Sequence, residues 1–301
     1  MKVAITGSSG MIGTVLAASL RADGHEVVRL VRRPPRSAEE VRWDPQAADG
    51  AIDPDKLAGV EACVNLAGVG VGDRRWTASY KALIRSSRIP GTRALAGVLA
   101  KLSPLPATLV SASAVGWYGD TGGQQVDESG PPGKSFLAGV CRDWEAAADP
   151  AADAGIRVVH PRSGVVLSSR GGLLHRLLPV ARLGVLPRFG PGTQVMSWIS
   201  LCDEVAAIRF LLDHGDLSGP VNLTSPDPVT DAAFTATLDH ALHRPDMPWW
   251  RAPAWLLRAA LGEGVGELLI NARVTPKRLT EAGYRFRSQT LSEALSAELA
   301  R

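Results

Sequence analysis

Two periods of apolar residues alternate along the chain. Lys2–Thr6 (KVAIT) is a short run of small and β-branched residues, the pattern of a buried parallel strand. From Met11 to Ala22, Ile12, Val15, Leu16 and Leu20 recur on one helix face. Gly24 stands where a helix C-cap belongs, and His25–Val31 returns to strand. Further on, Val41–Trp43, Ala107–Val110, Gly155–Leu167 and Pro220–Leu223 read as strands. Residues 135–148 read as a helix. Met196–Leu212 reads as a strand followed by a helix capped by Asp203. Later helices are expected over about 230–243, 252–271 and 290–300. Strands alternating with helices predict an α/β fold, a Rossmann-like doubly wound parallel sheet. A small α/β carboxy-terminal substrate lobe completes it. The nucleotide-binding domain is placed at 1–165, with later elements contributing, and the lobe at 166–301, interleaved with it.

Composition narrows the class. The 301 residues are 45% hydrophobic and 21% charged, which excludes a disordered or fibrous chain. Thirty-three basic against 30 acidic residues give a net charge of +3, so neither nucleic acid nor an anionic membrane is expected as a partner. The polar stretch Thr6–Gly10 interrupts any signal-peptide core, and no run of 18 apolar residues occurs. Cys63, Cys141 and Cys202 form no CxxC pair, which fits a reducing cytoplasm. His240 and His243 are the only close histidine pair and lack a third ligand nearby, so no metal site is expected.

The chemistry begins at the first turn, TGSSGMIG, residues 6–13. Its glycines stand at 7, 10 and 13, between a strand and a helix. That is the spacing of a dinucleotide cradle, in which backbone N–H groups and a positive helix end face a diphosphate. An NAD-binding unit carries an acid at the end of the second strand. Here Val31 is followed by Arg32 and Arg33, which favours the 2′-phosphate of NADP(H). Trp43 either lies against the adenine or covers the sheet edge. Lys81, Arg85 and Arg88 fall on one face of a predicted helix, where they either reach an anion or form a solvated surface.

The TGxxGxIG start resembles the extended short-chain dehydrogenase/reductase superfamily, which contains the nucleotide-sugar epimerases. Val64–Gly68, Arg75-Trp76, Ser87-Arg88, Trp117–Asp120, Arg162–Leu167, Trp198-Ile199 and Pro276–Leu279 sharpen the match. In order and spacing they resemble the atypical "epimerase family protein" subgroup, also described as cell-division-inhibitor-like. The resemblance runs over essentially the whole chain. It implies NADP(H) as cofactor, with contacts from Gly7, Ser8, Ser9, Gly10, Met11, Ile12, Arg32, Arg33, Leu66, Ala67, Gly68 and Arg75. Many relatives carry Glu after the NLAG segment, whereas this chain has Val69.

The superfamily's usual chemistry needs Ser or Thr and then Tyr-x-x-x-Lys, the Lys lowering the Tyr pKa. Ser113 matches the serine. Phe136 or Leu137 falls where Tyr belongs and Cys141 where Lys belongs. None of Tyr80, Tyr118 and Tyr284 has Lys four residues on. Tyr118 is the one phenol near Ser113. With no lysine its pKa is expected near the ordinary value of about 10, so it either donates a proton or packs against Gly119. Cys141 reads as a small core residue. Loops are expected over 121–135 and at Gly171-Gly172, and Trp249, Trp250 and Trp255 as a cluster lining a pocket or an interface.

Two functions follow. One is an NADP(H)-dependent oxidoreductase or epimerase acting on an unknown small molecule. The other is a catalytically degenerate NADP(H)-sensing or regulatory module. An ordinary nucleotide-sugar epimerase is disfavoured, because that reaction leans on the missing Tyr. A homodimer is expected by analogy with the superfamily.

Overall fold

The structure, a computed structural model, describes all residues except 48–50, 248, 253–261, 263, 265–269 and 301. Its centre is a parallel sheet. In space the strands run Gly219–Leu223, Arg157–Ser163, β5 (Thr108–Ser111), β4 (Ala62–Asn65), β1 (Lys2–Thr6), β2 (Glu26–Val31) and β3 (Glu40–Arg42). The winding reverses between β1 and β4. In such sheets the carboxyl ends of the strands flanking that point open a crevice for ligands.

Period two in β1 decides the layering. Val3 and Ile5 face one side, where they meet Leu16 and Leu20 of α1 (Met11–Ala22) and Val205, Ile208 and Leu211 of the Leu201–Asp213 helix. Ala4 faces the other side with Cys63 and Leu109, against Leu95 and Leu99 of α3 (Ile89–Leu99). Each such leucine contributes roughly 1.5–3 kcal/mol by leaving water. Trp43 belongs to this second layer at 2% exposure, so it covers the sheet edge and leaves no indole face for an adenine.

Several elements differ from expectation. The strand drawn over 155–167 breaks at Gly164, where a Cβ would lie 2.7 Å from the Ser197 carbonyl oxygen. Beyond the break, Val165–Leu167 pairs with Trp198–Ser200 in a separate two-stranded sheet. The cations Lys81, Arg85 and Arg88 do not share a helix face. α2 (Ala78–Ser86) stops before Ser87 and α3 starts at Ile89, with Pro90 in its first turn. A proline disfavours helical backbone in the residue before it, but its own missing N–H is harmless in a first turn. Arg88 therefore lies at the junction. The Asp231–Ala241 helix ends before His243, which takes a positive φ of 56°, so His240 and His243 do not share a helix face. Among the described residues no cluster of His, Cys, Asp or Glu could hold a metal ion. Trp249 and Trp250 are exposed, while Trp255 and most of the 252–271 helix lie outside the described residues. Among the described residues no helix is long and apolar enough to cross a membrane.

The expected cap of the 201–213 helix is also corrected. Ser200 is the N-cap, its Oγ accepting from the Asp203 amide at 3.0 Å. Asp203 instead ties down the tail. Its carboxylate accepts from Ser200 Oγ, Tyr284 Oη and the amides of Arg287 and Ser288, at 2.7–3.1 Å. Asp203→Ala would leave these buried and half-buried donors without their acceptor. It should lower the unfolding free energy on the order of 3 kcal/mol, read from the urea midpoint at constant slope. An unchanged midpoint would mean that other contacts hold residues 284–288.

Candidate functional site: a glycine cradle beside a buried ion-pair network

The site is built where β1 gives way to α1. Gly7 has φ +64°, and a Cβ there would lie 2.6 Å from the Leu66 carbonyl oxygen. A Cβ at Gly13 would lie 2.3 Å from the Gly7 carbonyl oxygen, so the helix start presses directly on the turn. Thr6 fastens the far wall: its Oγ1 accepts from the amides of Leu66 (3.0 Å) and Ala67 (3.2 Å) and donates to Asn65 Oδ1 at 2.7 Å. Gly10 is the N-cap of α1 and offers no side-chain cap. The amides of Met11, Ile12 and Gly13 therefore have no acceptor within the helix, and its positive end faces the crevice. This is a cradle for a diphosphate, open because Gly7, Gly10 and Gly13 put no side chain into it.

The named cofactor residues divide around it. Ser9 and Gly10 are exposed, and Met11 and Ile12 half-buried, at the helix start. Ser8 is buried and accepts from Arg29 Nε at 3.1 Å, so its hydroxyl braces the turn against β2. Arg33 is committed: its two Nη atoms each lie 2.7 Å from a Glu40 carboxylate oxygen. These hydrogen bonds, with one from the Arg36 amide, hold Glu40 down to about 2. Arg32 is exposed and has no hydrogen bond or ion pair among the described residues. Gly68 packs against the Arg88 guanidinium. Arg75 is exposed and lies against Gly262, beside the bridge from Trp76 to that glycine.

Ser113 and Tyr118 come together, 5% and 4% exposed, in a network whose members lie far apart in the sequence. Ser113 Oγ donates to Glu145 Oε1 at 2.6 Å. Arg162 grips both oxygens of that carboxylate, at 2.8 and 2.9 Å, and donates to Tyr118 Oη at 3.1 Å. Tyr118 in turn donates to Asn222 Oδ1 at 2.7 Å. The Arg162 guanidinium also stacks 3.8 Å from the Trp117 ring centroid. Burial pushes the Tyr118 phenol above its ordinary value despite Arg162, where the sequence alone implied an unshifted group. Glu145 was legible in one respect. It lies four residues after Cys141 on α4 (Phe136–Ala146), so the two share a helix face. Cys141 is a core residue whose thiol is pushed up to about 12 by burial.

Phe136 lines a cleft of about 690 Å³ with Trp76, Val126, Pro131, Ile270 and the edge of Tyr118. Trp76 meets Phe136 edge-on at 5.4 Å. Lys81 and Lys134 supply cationic ends, Lys81 standing 4.9 Å over the Phe136 ring. The 121–135 segment forms one wall, and its Gln125–Val126 pairs as a strand with Arg273–Val274. The Gly171-Gly172 loop lies against the Met11 side chain at the start of α1.

The comparisons agree with this geometry. Residues 3–223 match the NAD dependent epimerase/dehydratase family, and the chain belongs to it. Residues 252–298 match a domain of unknown function. An epimerase family protein of Mycobacterium leprae is 48% identical over 98% of this chain and 94% of its own. One of Bacillus subtilis is 33% identical over 100% and 98%. The crystal structure of the human epimerase family protein SDR39U1 with NADPH superposes at a TM-score of 0.90. It shares 31% identity over 100% of this chain and 99% of that one.

Beside the site, Glu204 is fully buried, with Ser163 Oγ donating to it at 2.6 Å, and burial lifts its carboxyl to about 7. The folded protein therefore keeps a proton there that the unfolded chain loses near its ordinary 4.5. The stabilisation is complete below about 4.5 and is lost as pH rises through about 7. The stability of the wild type relative to Glu204→Gln should fall across that window in paired denaturation curves. A difference constant from pH 4 to 8 would sink the assignment.

Proposed function

We propose that this protein is an NADP(H)-dependent oxidoreductase of epimerase type, working on a small molecule with an apolar body and an anionic group. One observation carries the reading. The cradle set by Gly7, Gly10 and Gly13 stands beside an arginine, Arg32, that has no partner among the described residues. The human relative solved with NADPH, alike over its whole length, supports it. Bound NADP(H) supplies hydride chemistry.

This chain's residues do the rest. The amides at the start of α1 hold the diphosphate, and Leu66, Ala67 and Gly68 wall it. Arg32 meets the 2′-phosphate, while Arg33 with Glu40 stiffens the loop beneath. The cleft has the size of a small-molecule site, and its aromatic walls shed water from what they hold. Lys81 and Lys134 select for negative charge. Tyr118, kept protonated by burial, offers a proton and not a charge. Its hydroxyl and that of Ser113 are coupled through Arg162 and Glu145, so the pair responds as a unit. The free cysteines fit a reducing cytoplasm.

NADPH should bind more tightly than NADH, and Arg32→Ala should remove the preference, about tenfold or more for a lost charge-assisted contact. Nicotinamide fluorescence in low-salt buffer reads both. Equal affinities in the wild type would demote Arg32 to surface charge. With NADPH and a panel of anionic carbonyl compounds, Tyr118→Phe should lower kcat about 100-fold, and Ser113→Ala should lower it too. Wild-type rates in both variants would remove them from the mechanism.

A second reading has its own observation. Phe136 and Cys141 occupy the relay positions, and the Ser113 and Tyr118 hydroxyls are committed to Glu145 and Asn222. In that reading the chain senses NADP(H) without turnover. Partner binding would then shift with the redox state of the cofactor.

A further inference from the structure

Ser113, Arg162 and Asn222 stand in one row across neighbouring strands. Parallel register sets Ser113 opposite Arg162, and Arg162 opposite Asn222. Facing residues of paired strands point to the same side of a sheet. Two of the three reach one atom. Arg162 Nη1 donates to Tyr118 Oη at 3.1 Å, and Tyr118 Oη donates to Asn222 Oδ1 at 2.7 Å. Asn222 is fully buried.

An amide side chain has two unlike ends, and the end that faces the phenol decides where the phenolic hydrogen points. Thr275 settles which end that is. Its carbonyl can only accept, and Asn222 Nδ2 donates to it at 2.9 Å. Oδ1 is thereby turned to Tyr118. The Arg162 guanidinium can only donate. The hydroxyl therefore receives from one side and gives to the other. An arriving substrate oxygen competes for its hydrogen with a single acceptor of fixed position.

Thr275 stands next to Pro276–Leu279, a motif of the sequence that the site has not absorbed. The stretch 273–278 is laced to the site through backbone atoms. Arg273–Val274 pairs with Gln125–Val126, and the Thr275 amide donates to the Val126 carbonyl at 2.9 Å. Val126 itself lines the cleft. Glu128, 7% exposed, joins the two sides: its Oε1 accepts from the amides of Asn222 (3.0 Å) and Arg278 (3.2 Å). Its Oε2 is buried and meets no donor among the described residues. A buried carboxylate with an idle oxygen is a poor source of stability. What Glu128 fixes is the register of Asn222 against the stretch that orients it.

We infer that Asn222 is a positioning residue for Tyr118, and that residues 273–278 are the strap that keeps its amide turned to the phenol. The inference rests on the reading of Tyr118 as proton donor given above. It also assigns a role to the carboxy-terminal segment, which aims a hydroxyl it does not itself touch.

The first test needs neither cofactor nor substrate. Tyrosine carrying 13C at Cζ gives one resonance for each of the three tyrosines, and Tyr118→Phe identifies that of Tyr118. Asn222→Leu should move this resonance and speed exchange of the hydroxyl hydrogen with water. Asn222→Asp keeps an acceptor for the phenol and should restore much of the wild-type signal. Glu128→Ala frees the amides of Asn222 and Arg278 and should move the resonance as Asn222→Leu does. Glu128→Gln removes the same charge but keeps the acceptor, so it should leave the resonance in place. Thermal midpoints control for folding, and where Asn222→Leu does not fold the two Glu128 variants decide. The second test uses NADPH and the anionic carbonyl compound that the wild type reduces fastest. Asn222→Leu should lower kcat by up to about 100-fold with KM nearly unchanged, and Asn222→Asp should recover part of the loss. An unmoved Tyr118 resonance in folded Asn222→Leu overturns the inference. So does a wild-type kcat in that variant when Tyr118→Phe is slow. Equal shifts in Glu128→Ala and Glu128→Gln overturn the strap. Wild-type turnover by Tyr118→Phe fells the reading on which the inference rests, and the inference with it. Should no compound turn over, the resonances decide by themselves.

Discussion

Two backbones meet at the carboxyl ends of β1 and β4 more closely than side chains permit, and the rest of the site follows from that approach. Gly7 must pass the Leu66 carbonyl, and Gly13 must pass the Gly7 carbonyl. The first contact brings the two central strands together at the point where the winding reverses. The second brings α1 down onto the turn, so that its unsatisfied amides open at the crevice and not into solvent. Thr6 closes the junction with one hydroxyl serving two amides and the Asn65 side chain. None of these contacts is large in energy. Their effect is geometric: they leave a hollow lined by N–H groups, with a positive potential that costs no reorganisation to present.

The opposite side of the crevice is held by charge. Glu145 and Arg162 are separated by 17 residues and pair inside the protein with both carboxylate oxygens engaged. A buried ion pair is poor evidence for stability, since desolvation offsets much of the attraction. What this one does is orient. Once Arg162 is bound to Glu145 and stacked on Trp117, its remaining Nη1 can point only at Tyr118, and Glu145 only at Ser113. Two hydroxyls that would otherwise rotate freely are held by a single rigid fork. The Tyr-x-x-x-Lys positions hold Phe136 and Cys141, and the serine and the phenol are instead ordered by this pair.

Legibility tracked sequence distance. The cradle was readable because its glycines, strand and helix lie within one short stretch, and the local pattern determines the geometry. The roles of Arg32 and Arg33 were not separable, because Glu40 reaches Arg33 only through the parallel register that sets it opposite Arg29. The network around Ser113 was invisible for the same reason: Asn222 meets Tyr118 across 104 residues. The spacing of Arg88 from Lys81 and Arg85 predicts one helix face. Ser87 and Pro90 break that helix, and the side chain turns inward. The Gly164 break was likewise hidden, since only the approach of the Ser197 carbonyl makes a glycine necessary there.

The arginines of this chain sort by what answers them. Arg21, Arg33, Arg85, Arg162, Arg176, Arg188 and Arg209 each meet a carboxylate within 4.0 Å, and these pairs join segments far apart in sequence as well as near neighbours. A guanidinium matched to a carboxylate has its charge neutralised in place, so it exerts little field beyond its partner. Arg32 and Arg88 have no such match among the described residues, and both border the cradle, one on the surface and one under its wall. A chain with 33 basic and 30 acidic residues has carboxylates enough for nearly every cation. Other arginines, Arg157 and Arg278 among them, also meet no carboxylate and bind carbonyl oxygens instead, but Arg32 and Arg88 stand beside the cradle, so their charge adds to the positive potential there.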